Sequence, residues 1–285
     1  MKELMVNNLS FIGSKKTYDE ADIVLVGVPL DLTVSFIPGT RWGPSAIRTV
    51  SEVLEEYSPT LDKDLREKNY YDWGDVELPL GNVSQSLQRI EEVARKIVLD
   101  GKKPVFIGGE HLVTLPLVKV MAERHPGLAV LQFDAHADLR QEYLGQEYSH
   151  ATVMWHVNQI IGRENLYQLG IRSGTREEFA YARENTRFYP EMVLEPLDDI
   201  VKNLQGRPVY VTLDIDVVDP AYAPGTSTPE PGGCTSTEIL AAVKKLNELN
   251  IIGFDLVEVC PLNDPTRHTA ILAAKIIREA LLGWY

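Results

Sequence analysis

Three stretches of this chain gather side chains that could do chemistry together: Gly108-Gly109-Glu110-His111, Asp134-Ala135-His136-Ala137-Asp138 and Asp214-Ile215-Asp216. Between them, His111, His136, Asp134, Asp138, Asp214 and Asp216 offer two imidazoles and four carboxylates. Residues i, i+2 and i+4 of an extended segment share a face. Asp134, His136 and Asp138 can therefore converge on one point, and so can Asp214 and Asp216. Carboxylates packed this closely repel and resist ionisation unless a cation compensates. Basic residues nearby are few: Arg140 is the closest in the second loop, and the third loop has none. A pair of divalent metal ions is the physical solution. Carboxylates suit Mg, Ca and Mn, whereas imidazole draws toward Zn, Fe, Ni or Mn, so the mixed set fits Mn²⁺ best, with Fe, Co or Zn as competitors. A lone Asp at a strand end is ordinarily a cap or turn former, and His125, His156 and His268 read as structural. That bland reading does not account for three clusters that each follow an apolar run.

Those runs must position the clusters. Pro104–Ile107 precedes the first, Leu128–Phe133 the second and Pro208–Leu213 the third, while Ile251–Val257 leads into Glu258. Ile23–Val28 and Asn165–Ile171 read as further strands. Helical patterns run through Gly43–Tyr57, Asn82–Leu99, His111–Arg124, Ser236–Leu249 and Thr266–Leu282. Asn82–Leu99 carries its apolar stripe on Val83, Leu87, Ile90, Val93, Ala94, Ile97 and Val98. Strands that are apolar throughout, alternating with helices, predict a parallel sheet covered on both faces. Sites in such sheets lie beyond the carboxyl ends of the strands, where the polar clusters sit. Asp138–His150 and Asp214–Thr235 are long connections, which usually carry function.

The 285 residues are 44% hydrophobic and 24% charged, a globular composition. Twenty-eight Lys and Arg against 41 Asp and Glu give a net charge of −13, which repels a nucleic acid and draws in a small cationic substrate. Two cysteines, Cys234 and Cys260, make no disulfide framework and suit a reduced, cytoplasmic protein. Ile23–Leu30, the most apolar stretch, falls far short of the ~20 residues of a membrane helix. No GxxxxGK[ST] or strand–GxGxxG phosphate cradle occurs; Gly225, Gly232 and Gly233 read as loop formers.

With these motifs the chain resembles the ureohydrolase family of arginases and agmatinases. The resemblance also covers Ser149-His150-Ala151-Thr152, the run Asp214 to Gly225, and Glu258 in Asp255-Leu256-Val257-Glu258-Val259. Pro38-Gly39-Thr40-Arg41-Trp42-Gly43-Pro44 with Ala46-Ile47-Arg48 is similar to the agmatinase branch, as is Asp138-Leu139-Arg140 followed by Ser149-His150. The resemblance implies an α/β protein with a three-layer α/β/α fold and a mainly parallel eight-stranded sheet, a single domain over residues 1–285. It also implies two Mn²⁺ per subunit and a homo-oligomer, trimer or hexamer. Carried over by position, it assigns one metal to His111, Asp134, Asp138 and Asp214, and the other to His136, Asp134, Asp214 and Asp216, with Asp134 and Asp214 bridging. Glu258 would anchor a guanidinium, which matches a carboxylate as a bidentate fork, and the alternative for it is an ion pair with a neighbouring Arg. His150 would shuttle a proton near the leaving group, the alternative being a loop anchor or cap; Asp138 would accept a proton from the attacking water and pass it on.

The implied reaction hydrolyses the guanidinium of agmatine to putrescine and urea. Arginine and 4-guanidinobutyrate are the alternatives. Arg140 stands where arginases place an Asn, which argues against arginine. It is a poor neighbour for the free ammonium of agmatine unless Glu142 or Glu147 engages it, and it could pair with a guanidino acid. A non-catalytic metal-binding protein on this fold predicts lost ligands, and a single-metal deacetylase predicts one three-ligand site; all six ligand positions are filled here.

Overall fold

In the computed structural model, which describes residues 4–6, 9–14 and 16–285, the apolar runs become strands and the amphipathic stretches helices. In chain order these are β1 (Met5–Val6), β2 (Ile23–Val28), α1 (Gly43–Ser51), β3 (Tyr57–Ser58), β4 (Lys63–Asp64), β5 (Tyr70–Val76), α2 (Val83–Leu99), β6 (Lys103–Gly108), α3 (Thr114–Arg124) and β7 (Ala129–Phe133). The second half adds α4 (Val153–Ile161), β8 (Leu166–Leu169), α5 (Arg176–Asn185), β9 (Arg187–Tyr189), α6 (Leu197–Leu204), β10 (Pro208–Asp214), α7 (Ser236–Lys245), β11 (Asn250–Val257) and α8 (His268–Gly283).

Nine strands pair in the order β1-β5-β2-β6-β11-β10-β7-β8-β9. Every pairing from β5 to β9 is parallel. This is the expected eight-stranded sheet, extended by the two-residue β1, which lies antiparallel on β5. Residues of β2 alternate: Ile23 and Leu25 join one core, Val24, Val26 and Val28 the other. Helices α2, α3 and α4 pack side by side over one face, and α1, α8, α7 and α6 over the other. Three layers result, because a sheet apolar on both faces must be covered on both.

Most expected elements form, with shifted ends. The helix expected through Tyr57 stops at Ser51, whose hydroxyl donates to the Arg48 carbonyl (2.7 Å) and accepts the Ile12 N–H (3.0 Å); Tyr57 and Ser58 pair instead with β4. The last helix starts at His268 rather than Thr266, because Asp264 takes up the Thr266 and Thr269 N–H groups at 3.1 and 2.8 Å. Single turns of 3₁₀ helix replace the start of the His111 helix and the end of the Ser236 helix. Among the described residues no helix is long and apolar enough to cross a membrane. Cys234 and Cys260 are both free thiols.

β5 is held by charge. Arg48 on α1 donates from Nε (2.7 Å) and Nη2 (2.9 Å) to the two oxygens of Asp72, and from Nη1 to Asp75. Asp72 also accepts the Phe11 N–H at 2.8 Å. All polar atoms of Asp72 are therefore matched inside the protein.

Candidate active site

Strands β6, β11, β10 and β7 are consecutive neighbours in the sheet, so their carboxyl ends emerge side by side. His111 follows β6, Glu258 follows β11, Asp214 ends β10 and Asp134 follows β7. Leu213 pairs with Phe133 and Asp214 with Val257. The register thus sets Asp134 beside Asp214 and Glu258 one residue beyond. Gly109 is required where β6 ends, since a Cβ there would lie 1.9 Å from the Leu30 carbonyl oxygen. Asp138 (φ 54°) and Glu258 (φ 65°) adopt left-handed backbone, a conformation that costs a non-glycine residue about 1–3 kcal/mol and concentrates at functional sites.

The side chains converge in two groups that share one residue. His111 Nδ1 lies 3.0, 3.2 and 3.4 Å from carboxylate oxygens of Asp134, Asp138 and Asp214. His136 Nδ1 lies 2.9 Å from Asp216 Oδ2 and 3.8 Å from Asp134 Oδ1. Ligand atoms of His111, Asp134 and Asp138 fall within one cation-sized space, and those of Asp134, His136 and Asp216 within a second. Asp134 belongs to both. Asp214, the other residue expected to bridge, approaches His111 and stands outside both triads.

These residues fit divalent cations. Among the described residues no Lys or Arg pairs with any of the four carboxylates. Buried His111 Nδ1 and Asp216 Oδ2 have no hydrogen-bond partner, a costly state unless a cation satisfies them. Burial, and then its carboxylate neighbours, push Asp134 and Asp214 above the ordinary carboxylate range; burial and Asp134 push Asp138 up to about 7. Burial opposes a charge on His111 and His136, yet their carboxylate contacts outweigh it and raise both well above the ordinary histidine value. Such a site holds protons in place of metal and releases them when metal binds.

Supporting hydroxyls fix the ligand orientations. His111 Nε2 lies 2.9 Å from Thr212 Oγ1, which donates to Asp255 at 2.6 Å. Tyr210 and Thr114 also donate to Asp255, at 2.6 and 3.1 Å. The Thr212 hydroxyl has given away its hydrogen, so it accepts from His111 Nε2–H, which leaves Nδ1 toward the carboxylates as the nitrogen free to ligate a cation once its proton is displaced. Gln132 Nε2 donates to Asp134 Oδ2 at 2.7 Å. Thr212, Asp255 and Gln132 belong to none of the three ligand motifs. Their signal is a polar residue inside an otherwise apolar strand, where burial demands a partner.

An open cavity of about 260 Å³ lies above the clusters, and His136, Asp138, His150, Glu258, Arg140 and Glu178 line it. Glu258 is buried; its Oε1 accepts the His111 N–H (2.8 Å) and Oε2 the Ser227 hydroxyl (2.9 Å). The alternative of an arginine partner for Glu258 is not realised among the described residues. Burial and then Glu110 push its carboxyl up to about 8. His150, also in the lining, sits 3.4 Å from both Thr33 Oγ1 and Ser35 Oγ; burial and then His136 push its pKa down to about 4. Arg140 is engaged by neither Glu142 nor Glu147 but by Glu178, with Nε at 3.4 Å, and its guanidinium lies 4.7 Å over the Tyr143 ring. His156 stacks on Tyr148 at 4.8 Å, in keeping with a structural role.

Comparison with known proteins gives one picture. The family model described as "Arginase family" matches residues 21–283. The agmatinase of Bacillus subtilis (strain 168) is 52% identical over 277 residues, covering 96% of each chain. The agmatinase of Bacillus anthracis is 50% identical over 277 residues, again 96% of each. The crystal structure of the agmatine ureohydrolase of Thermoplasma volcanium superposes with a TM-score of 0.89 at 30% identity, over 98% of this chain and 95% of that one.

Proposed function

The chain belongs to the arginase family and is an agmatinase-type ureohydrolase, and we propose that it hydrolyses the guanidinium of agmatine to urea and putrescine with two Mn²⁺ per subunit. The observation that carries this reading is Glu258: a buried, uncharge-balanced carboxylate facing an open cavity beside two ligand clusters. A guanidinium matches that fork and would restore its charge.

His111, Asp134, Asp138 and Asp214 would hold one ion, and Asp134, His136, Asp214 and Asp216 the other. When bound, such a pair supplies a water activated for attack at neutral pH. The protein's own residues do the rest. Glu258 holds the guanidinium carbon over the clusters. Asp138 accepts a proton at a carboxylate oxygen and passes it toward the leaving nitrogen. His150 delivers a proton to the departing amine from its cavity-facing ring edge. Glu178 occupies the charge of Arg140, which supports a substrate whose far end lacks a carboxylate. The reading extends to a cytoplasmic homo-oligomer acting as one domain per chain, trimer or hexamer, which light scattering of the purified protein checks.

Urea release from agmatine, arginine and 4-guanidinobutyrate at equal concentration with Mn²⁺ tests the reading. Agmatine should win by at least ~10²-fold, about 2.7 kcal/mol of transition-state discrimination. A preference for 4-guanidinobutyrate that Arg140→Ala erases would instead make Arg140 a carboxylate reader.

A further inference from the structure

Glu110 is fully buried, one residue before His111, yet it belongs to neither ligand cluster. Its carboxylate instead captures a distant loop. Oε2 accepts the N–H groups of Leu32 (3.0 Å) and Thr33 (2.8 Å), and Oε1 accepts the Thr33 hydroxyl at 3.0 Å. Thr33 then meets His150, 117 residues further along the chain: its Oγ1 accepts the His150 backbone N–H at 3.1 Å and lies 3.4 Å from His150 Nδ1.

A hydroxyl has one hydrogen. Thr33 gives its hydrogen to Glu110, so toward His150 its oxygen can only accept. The favourable imidazole therefore carries its hydrogen on Nδ1 and keeps the lone pair on Nε2. That nitrogen lies 3.4 Å from the hydroxyl of exposed Ser35, which also lines the cavity. We propose that Thr33 is a positioning residue that fixes the tautomer and ring orientation of His150, with Glu110 as the anchor that orients the Thr33 hydroxyl. The inference rests on the proton-donating role of His150 given above. An imidazole in the opposite tautomer would present N–H to the cavity and could not take up the proton it must deliver.

The test is a double-variant cycle on the Mn²⁺-loaded enzyme with agmatine, reading kcat, KM and metal content for Thr33→Val, Thr33→Ser, His150→Ala and the Val/Ala pair. Loss of a proton-transfer group costs ~10²–10⁴-fold, and loss of its orientation should lower kcat by ~10-fold or more, with KM and metal content little changed. Thr33→Ser keeps the hydroxyl and should restore turnover to within ~3-fold, and the pair should be no slower than His150→Ala alone. If Thr33→Val does not fold, Thr33→Ala removes the same hydroxyl with less bulk. Thr33→Val at wild-type turnover while His150→Ala is slow would overturn the positioning role and leave His150 intact. So would an equal loss from Thr33→Val in the His150→Ala background. Wild-type turnover by His150→Ala would overturn the role of His150 and this inference with it.

Discussion

Arg48 with Asp72 and Asp75, between α1 and β5, and the imidazoles and carboxylates at the ends of β6, β7 and β10 are both largely buried charge clusters on one sheet, but their balance differs. The first is closed. Arg48 spans both carboxylates, and a backbone N–H fills out Asp72. The second is open: two imidazoles face four carboxylates, His111 Nδ1 and Asp216 Oδ2 lack partners, and three carboxyls are pushed toward neutrality. A buried cluster that supplies its own cation fastens elements together; one that leaves its charge uncompensated is built for a cation from outside.

The largest effect that would break this contrast is at the shared residue of the open cluster. Asp134→Asn should lower urea release by at least ~10⁴-fold, about 5.5 kcal/mol, while circular dichroism shows a folded chain and metal content drops below two per chain. Full activity would remove Asp134 from the centre. In the closed cluster, Arg48→Met strands two carboxylates and should cost about 3–5 kcal/mol of stability in denaturant unfolding; a loss under about 1 kcal/mol would mean that the pair holds little. Glu258→Gln keeps its shape and loses the charge, so kcat/KM should fall ~10²-fold or more, at least about 2.7 kcal/mol, with metal content unchanged. A variant that loses metal yet binds a guanidinium analogue would put Glu258 among the ligands.

The pH response sharpens the contrast further. Asp138 is raised to about 7 by burial and Asp134, against an ordinary value of about 3.9. Between those values the metal-free folded chain holds a proton that the unfolded chain has lost, so this group's contribution lowers stability as pH rises through the window. Metal displaces that proton. The Tm gained on adding Mn²⁺ should therefore be larger at about pH 7.5 than at about pH 5.5; equal gains would contradict the open-cluster account. Arg140→Ala should be the mildest change, at most ~10-fold in kcat/KM for agmatine, because Arg140 already spends its charge on Glu178.

Most of the centre is legible in sequence because ligand chemistry limits residue types and a parallel sheet puts strand ends together. His111, Asp134, Asp214 and Glu258 each follow an apolar run, and that juxtaposition needs no long-range knowledge beyond the sheet. β5 is illegible for the opposite reason. Asp72 and Asp75 interrupt its pattern, and their compensation comes from Arg48, 24 residues from Asp72. Short β9 and the helix α5 carry too little apolar periodicity to stand out, and α6, though Leu197, Ile200, Val201 and Leu204 recur at helical spacing, spans only eight residues. The partner of Arg140 depends on where α5 brings Glu178, and no local spacing reports that. Thr33 and Glu110 escape for the same reason, since their roles exist only where three loops meet.

The central claim is that the open cluster takes two cations to work. Metal-free protein titrated with Mn²⁺, with urea release from agmatine followed against metal bound per chain, tests it most directly. Activity should remain low through the first equivalent and reach its plateau at the second. A plateau at one equivalent or fewer would contradict the account.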